Sequence, residues 1–156
     1  MFDEISLTPE QIRSFSKIFI VACGSAYHVG VVAKYVLEQT VRIPVEVDVA
    51  SEFRYRSPIL GPDTLVLVIS QSGETADTLA ALREAKRLGA YTLSIVNVVG
   101  STIANESDDV IYTWAGPEIA VATTKAYSTQ LVVVYLLSIY LGDLLGRISL
   151  EEYKSY

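Results

Sequence analysis

The chain is predicted to be an α/β protein, a three-layer α/β/α sandwich with helices on both faces of a five-stranded parallel sheet. Short β-branched runs alternate with longer stretches of helical period, which is the pattern of repeated βαβ units. Leu65-Val66-Leu67-Val68-Ile69 is apolar at every position, so both faces of that strand must be covered. With 156 residues and 51% hydrophobic content, the chain can fill one core but is too short for two ordinary domains, so residues 1–156 are read as a single domain.

The elements follow in order. Residues 1–15 are polar and weakly patterned, with Pro9 at a helix start, and are read as a lead-in. Lys17 to Ala22 is the first strand, followed by a helix from Ser25 to Gln39 with Val29, Val32, Ala33, Val36 and Leu37 on one face. Pro44 to Val49 is the second strand, and Ala50 to Arg56 a short helix closed by Pro58 and the Gly61-Pro62 turn. The third strand, Thr64 to Ser70, leads to a helix from Thr75 to Leu88 that carries Leu79, Leu82, Ala85 and Leu88 and stops at Gly89. Tyr91 to Asn97 is the fourth strand, Ser101 to Glu106 a capped turn, and Val110 to Trp114 the fifth strand. Thr123 to Leu145 is the longest helix, and residues 146–156 are linker-like. The apolar run from Leu131 to Leu141, broken by Ser138, is shorter than the ~20 residues of a membrane span and reads as a buried helix.

Such sheets bind ligands beyond the carboxyl ends of their strands. In a 2-1-3-4-5 strand order, Cys23-Gly24-Ser25 after the first strand and Ser70 to Thr75 after the third flank one crevice. The second loop, Ser70-Gln71-Ser72-Gly73-Glu74-Thr75, joins a buried strand to a helix whose unpaired N–H groups and positive dipole end suit an anion. No Lys or Arg occurs between Arg56 and Arg83, so a phosphate there is held by neutral donors: the hydroxyls of Ser70, Ser72 and Thr75 and the Gln71 amide, with Gly73 admitting close backbone approach. Neither G-x-x-x-x-G-K-[ST] nor G-x-G-x-x-G is present, which favours a small phosphorylated molecule over a nucleotide. Serine and glycine also build ordinary strand-to-helix turns. Glu74 and Asp77 suit the helix dipole but repel phosphate, so they should point away from the crevice.

Twelve basic against eighteen acidic residues, a net charge of −6, argue against a nucleic-acid surface or an anionic membrane face. Met1-Phe2-Asp3-Glu4 is acidic where a signal peptide is basic, and the lone Cys23 suits a reducing compartment, so a cytoplasmic location is expected. Cys23 reads as a pocket wall, since no base adjoins it to make a nucleophile. With one His and one Cys, no zinc site is expected, and no cofactor is expected either. His28 is either structural or an acid–base group; Lys125 opposes the dipole of the last helix and is either solvated or paired with Glu118.

Five segments carry a resemblance: Ala22 to Ser25, Ala50-Ser51-Glu52-Phe53-Arg54-Tyr55-Arg56, Ser70 to Thr78, Asn97 to Ser101 and Gly116 to Lys125. In them the chain resembles the sugar isomerase (SIS) domain family, specifically the first of the two such domains in the isomerase half of glutamine–fructose-6-phosphate aminotransferases. The resemblance implies the flavodoxin-like order 2-1-3-4-5 and a site for fructose 6-phosphate or a related sugar phosphate. It implies that Ser70, Gln71, Ser72 and Thr75 hold the phosphate, that Cys23, Gly24 and Ser25 line the pocket, and that Val121 and Thr123 contact the sugar. Members often carry Thr-Ser after Cys-Gly, where this chain has Ser25-Ala26, and serine where it has Thr123. The family's amidotransferase half begins with a catalytic cysteine after the initiator methionine, where this chain has Phe2. The family's catalytic Glu, Schiff-base Lys and ring-opening His lie in the second SIS domain, for which there is no room. Those roles do not pass to Glu118, Lys125 or His28, so no catalytic residue is assigned and the chain alone is expected to be inactive. The implied partners are the missing second SIS and glutaminase domains and a second copy in a homodimer. Two other readings stand beside this one. One is a freestanding sugar-phosphate isomerase, completed by oligomerisation, using His28 with Glu52 or Glu118; the other is a ligand-sensing module of a regulator, for which the short N-terminus supplies no helix-turn-helix.

Overall fold

Eleven hydrophobic side chains along three adjacent strands decide the layering, because alternate residues of a strand point to opposite faces. In the computed structural model, which describes residues 2, 5–120, 122–149 and 151, five parallel strands form one sheet in the order β2-β1-β3-β4-β5. The strands are β1 (Lys17–Ala22), β2 (Val45–Val49), β3 (Thr64–Ser70), β4 (Tyr91–Val96) and β5 (Asp109–Tyr112). Ile18, Ile20, Leu65, Leu67, Ile69, Leu93 and Ile95 face one side. There they meet α2 (Ser25–Thr40) and α6 (Lys125–Leu144). Phe19, Val21, Val66 and Val68 face the other, against α3 (Ala50–Phe53), α4 (Ala76–Arg87) and α5 (Thr102–Glu106). The three-layer α/β/α sandwich and its strand order are those expected.

The differences from the expected elements have local causes. The short helix ends at Phe53, whose ring is buried edge-on to Phe19, and Arg54 onward turns outward. On α4 the buried stripe is Thr78, Ala81, Leu82 and Ala85, so Leu82 and Ala85 of the expected row are buried while Leu79 and Leu88 are only partly so. The two alanines let the helix lie close on the sheet and leave Leu79 and Leu88 at its margin. Ser101 to Glu106 is a true helix turn, and β5 starts one residue early because Asp109 pairs with Leu93. Helix α6 meets the length and composition of a membrane span. Here Ala126, Val133, Val134, Leu137 and Leu141 are buried in the core, as read from the sequence. At Gly30 an added Cβ would lie 3.0 Å from Ile20 and 3.1 Å from Val47, which sets the close approach of α2 to the sheet.

The segment read as a lead-in contributes buried Ile5, Leu7, Ile12 and Phe15 and a short helix, α1 (Pro9–Ser14). Thr8 and Gln11 form a reciprocal cap at its start. Of the 146–156 segment, residues 150 and 152–156 lie outside those described; Arg147 donates to the Val41 carbonyl and Ile148 packs on Gly142.

The N-terminal segment is clamped to the sheet through Asp109. The Ser6 N–H donates to both carboxylate oxygens at 3.0 Å, and the Tyr91 hydroxyl donates to one of them at 2.8 Å. Burial, with the Asp109 carboxylate beside it, pushes the Tyr91 phenol from 10.0 up to about 12. A raised folded value means this stability is fully present below pH 10.0 and is lost as pH rises to about 12. In wild type the urea midpoint should therefore fall across that window, and in Tyr91→Phe that part of the slope should vanish.

Candidate functional site

Strands β1 and β3 are neighbours, so the loops after them open at the same edge of the sheet. They enclose a cavity of about 310 Å³, within the size range of small-ligand sites. From the first loop come Cys23 and Ser25, and from the second Ser70, Gln71, Ser72 and Thr75. A third wall, Glu118 to Ala120 and Thr123, comes from the segment between β5 and α6. Seven of the sequence-predicted residues thus converge. Gly24 sits between Cys23 and Ser25 with φ +56° and caps α2, while Val121 lies outside the described residues. His28 and Glu52 are exposed and line no part of this cavity, whereas Glu118 does.

The second loop is held from within. The Gly73 N–H donates to Ser70 Oγ at 3.0 Å and the Glu74 N–H to Ser72 Oγ at 3.2 Å. Each serine thus accepts a loop amide and keeps its own O–H free to donate. Thr75 is the N-cap of α4 but makes no side-chain cap bond, and Gly24 offers α2 no side chain at all. Both helices therefore present unpaired N-terminal amides at this edge. The acidic residues face elsewhere, as expected. Glu74 accepts from the Thr102 N–H at 2.7 Å and its hydroxyl at 2.8 Å, bonds that hold its carboxyl below the usual range. Asp77 pairs with Arg54 at 3.5 Å.

Glu118 lines the cavity and is not paired with Lys125 among the described residues. It accepts from the Ala126 N–H and the Thr123 hydroxyl, each at 3.2 Å, and the Ala126 amide above all holds its carboxyl below the usual range. It thus sits over the first turn of α6 as an anion. Asn97, after β4, holds this wall: its Nδ2 donates to the Gly116 carbonyl at 2.8 Å, and its Oδ1 accepts from Ala115 N–H at 2.8 Å and Thr113 Oγ1 at 3.0 Å. Asn97→Ala should lower stability by about 2 kcal/mol in urea unfolding, since it leaves three loop groups without partners. It should also weaken ligand binding several-fold by calorimetry, although Asn97 does not line the cavity.

The predicted set lacked the lining residues Ala26, Ile69, Glu118, Ile119 and Ala120 and two polar ones on helices, Thr78 of α4 and Gln130 of α6. Both are polar residues on the buried stripes of their helices, and that break in the apolar pattern was the available signal. A larger cavity of about 420 Å³ lies at the opposite edge, between α1, α4 and β4. Its polar groups satisfy one another: Lys86 donates to Asp108 at 2.8 Å and Gln11 accepts from the Thr8 N–H at 2.9 Å.

Residues 11–140 match the SIS domain family. The glutamine–fructose-6-phosphate aminotransferase [isomerizing] of Clostridium tetani is 61% identical over 150 residues, covering 96% of this chain and 25% of that protein. Its counterpart in Caldanaerobacter subterraneus subsp. tengcongensis is 63% identical over 139 residues, covering 89% of this chain and 23% of that protein. The chain spans about a quarter of the length of these relatives. Among solved structures, the C-terminal domain of glucosamine-fructose-6-phosphate aminotransferase from Francisella tularensis superposes with a TM-score of 0.88 at 39% identity, covering 95% of this chain and 42% of that one. Glucosamine-6-phosphate deaminase from Thermotoga maritima gives 0.78 at 26% identity, covering 99% and 46%.

Proposed function

Because this chain belongs to the SIS domain family, we propose that its cavity is the fructose 6-phosphate half-site of a glutamine–fructose-6-phosphate aminotransferase. One observation carries the reading: neutral hydroxyls with free protons and the amide ends of two helices converge at the β1/β3 edge, in a cavity lined by no Lys or Arg among the described residues. A phosphate fits such donors, since each offers a hydrogen bond to an anion without a competing counter-charge. The Ser70 to Thr75 loop takes the phosphate, and Cys23, Gly24 and Ser25 close the pocket beside it. The anionic Glu118 repels the phosphate, so the uncharged sugar is the end that meets Thr123, with Val121 as the further sugar contact the family resemblance implies.

The whole enzyme would couple aldose–ketose isomerisation to amino transfer from glutamine, the name of the relatives supporting this. This chain would bind and orient the substrate. The proton-moving groups would belong to the second SIS domain and the ammonia source to a glutaminase domain. Assembly as a homodimer and a cytoplasmic location belong to the same proposal.

A thermal-shift panel tests it. Fructose 6-phosphate should raise the melting temperature of the chain by several degrees at millimolar concentration, and fructose should leave it unchanged. Equal shifts from phosphorylated and plain sugars would rule the phosphate loop out.

A further inference from the structure

Gln130 breaks the buried stripe of α6. Its neighbours on that stripe, Ala126, Val133, Val134 and Leu137, are apolar and at most 1% exposed, and Gln130 itself is 3% exposed. The other polar member, Ser138, satisfies itself by donating to the Tyr135 carbonyl at 2.7 Å. The Gln130 carboxamide has no hydrogen-bond partner among the described residues, yet it lines the cavity. Its polar atoms are not sealed in the core, as the unpartnered hydroxyls of Thr64, Thr78, Ser94 and Ser101 are, so the carboxamide opens onto the cavity with two donors and an acceptor for a ligand.

Its place in the fold says which end of a ligand it meets. Gln130 lies in the second turn of α6, directly beyond the Glu118 to Thr123 wall, and on the face of the sheet that α2 and α6 cover. The phosphate loop leads instead into α4, on the opposite face. From this we infer that Gln130 is a sugar-reading residue: its carboxamide hydrogen-bonds hydroxyl or carbonyl oxygens of the bound sugar and makes no contact with the phosphate. The inference rests on the proposed sugar-phosphate site and adds to it the residue that discriminates one polyol from another. A carboxamide suits this work because it both donates and accepts, as sugar oxygens do, and carries no charge to compete with the phosphate.

The test is calorimetric titration of wild type and Gln130→Met with fructose 6-phosphate and, separately, with inorganic phosphate. The variant should bind fructose 6-phosphate at least tenfold more weakly, bind inorganic phosphate as wild type does, and melt at the same or a higher temperature without ligand. Gln130→Leu, with a different shape, repeats the measurement should the methionine side chain mispack. Unchanged affinity for fructose 6-phosphate in a folded variant would overturn the role of Gln130 while leaving the phosphate loop standing. A parallel loss of both ligands would likewise overturn it, since the residue would then act through the loop. Failure of wild type to bind either ligand would overturn the sugar-phosphate site itself, and this role with it.

Discussion

Gly73→Ala is expected to abolish sugar-phosphate binding and to lower stability by about 2 to 4 kcal/mol, from left-handed strain of about 1 kcal/mol and overpacking of 1 to 3 kcal/mol. Gly73 has φ +67°, and a Cβ built there would lie 2.1 Å from Ser101 Oγ and 2.5 Å from Ser101 Cβ. Ser101 cannot step aside easily. It is buried at the N-cap of α5, and the Gly73 carbonyl accepts from the Ile103 N–H at 3.0 Å in the same place. The loop would have to lift instead, pulling Ser70 and Ser72 off the amides they now accept. Gly89 is the control: its φ is +85°, but nothing lies within 4 Å of its added Cβ, so Gly89→Ala should show the conformational cost of about 1 kcal/mol alone. Adding Ser101→Gly to Gly73→Ala should recover part of the loss, and urea unfolding of the four combinations would measure that coupling.

The second large effect is expected from Ser72→Ala combined with Thr75→Ala. Neither hydroxyl proton is used among the described residues: Ser72 accepts the Glu74 amide and Thr75 makes no cap bond. Their loss should therefore fall on the ligand more than on the fold. Hydrogen bonds to a charged group contribute about 1.5 to 3 kcal/mol each, so losing two should weaken fructose 6-phosphate binding by about 100-fold or more. Circular dichroism and the melting temperature should stay near wild type. If the variant unfolds, the hydroxyls are structural, and the loop is an ordinary turn.

The sheet was legible because its strands are unambiguous. Lys17–Ala22 and Thr64–Ser70 have the bounds read from sequence, since apolar runs of that length between turn residues suit only a strand covered on both sides. The Ser70 to Thr75 loop was legible as a candidate anion site for a related reason: Gly73 and the hydroxyls of Ser70, Ser72 and Thr75 stand where a buried strand passes into a helix. What escaped depends on contacts between distant segments. Asp109 is held by donors from Ser6 and Tyr91, 103 and 18 positions away, which no local pattern reports. The Asn97 bonds that hold the third wall are of the same kind. Thr78 and Gln130 were hidden differently, because the apolar stripes of α4 and α6 drew attention to their leucines and valines rather than to the polar breaks in them.

The central claim is that this cavity requires both the phosphate and the sugar of its ligand. Calorimetric titration of the 156-residue chain with fructose 6-phosphate, fructose and inorganic phosphate tests it most directly. Tightest binding should be to fructose 6-phosphate, with weaker binding of phosphate and none of fructose. Equal affinity for fructose and fructose 6-phosphate, or no heat from any of the three at millimolar concentration, would contradict it.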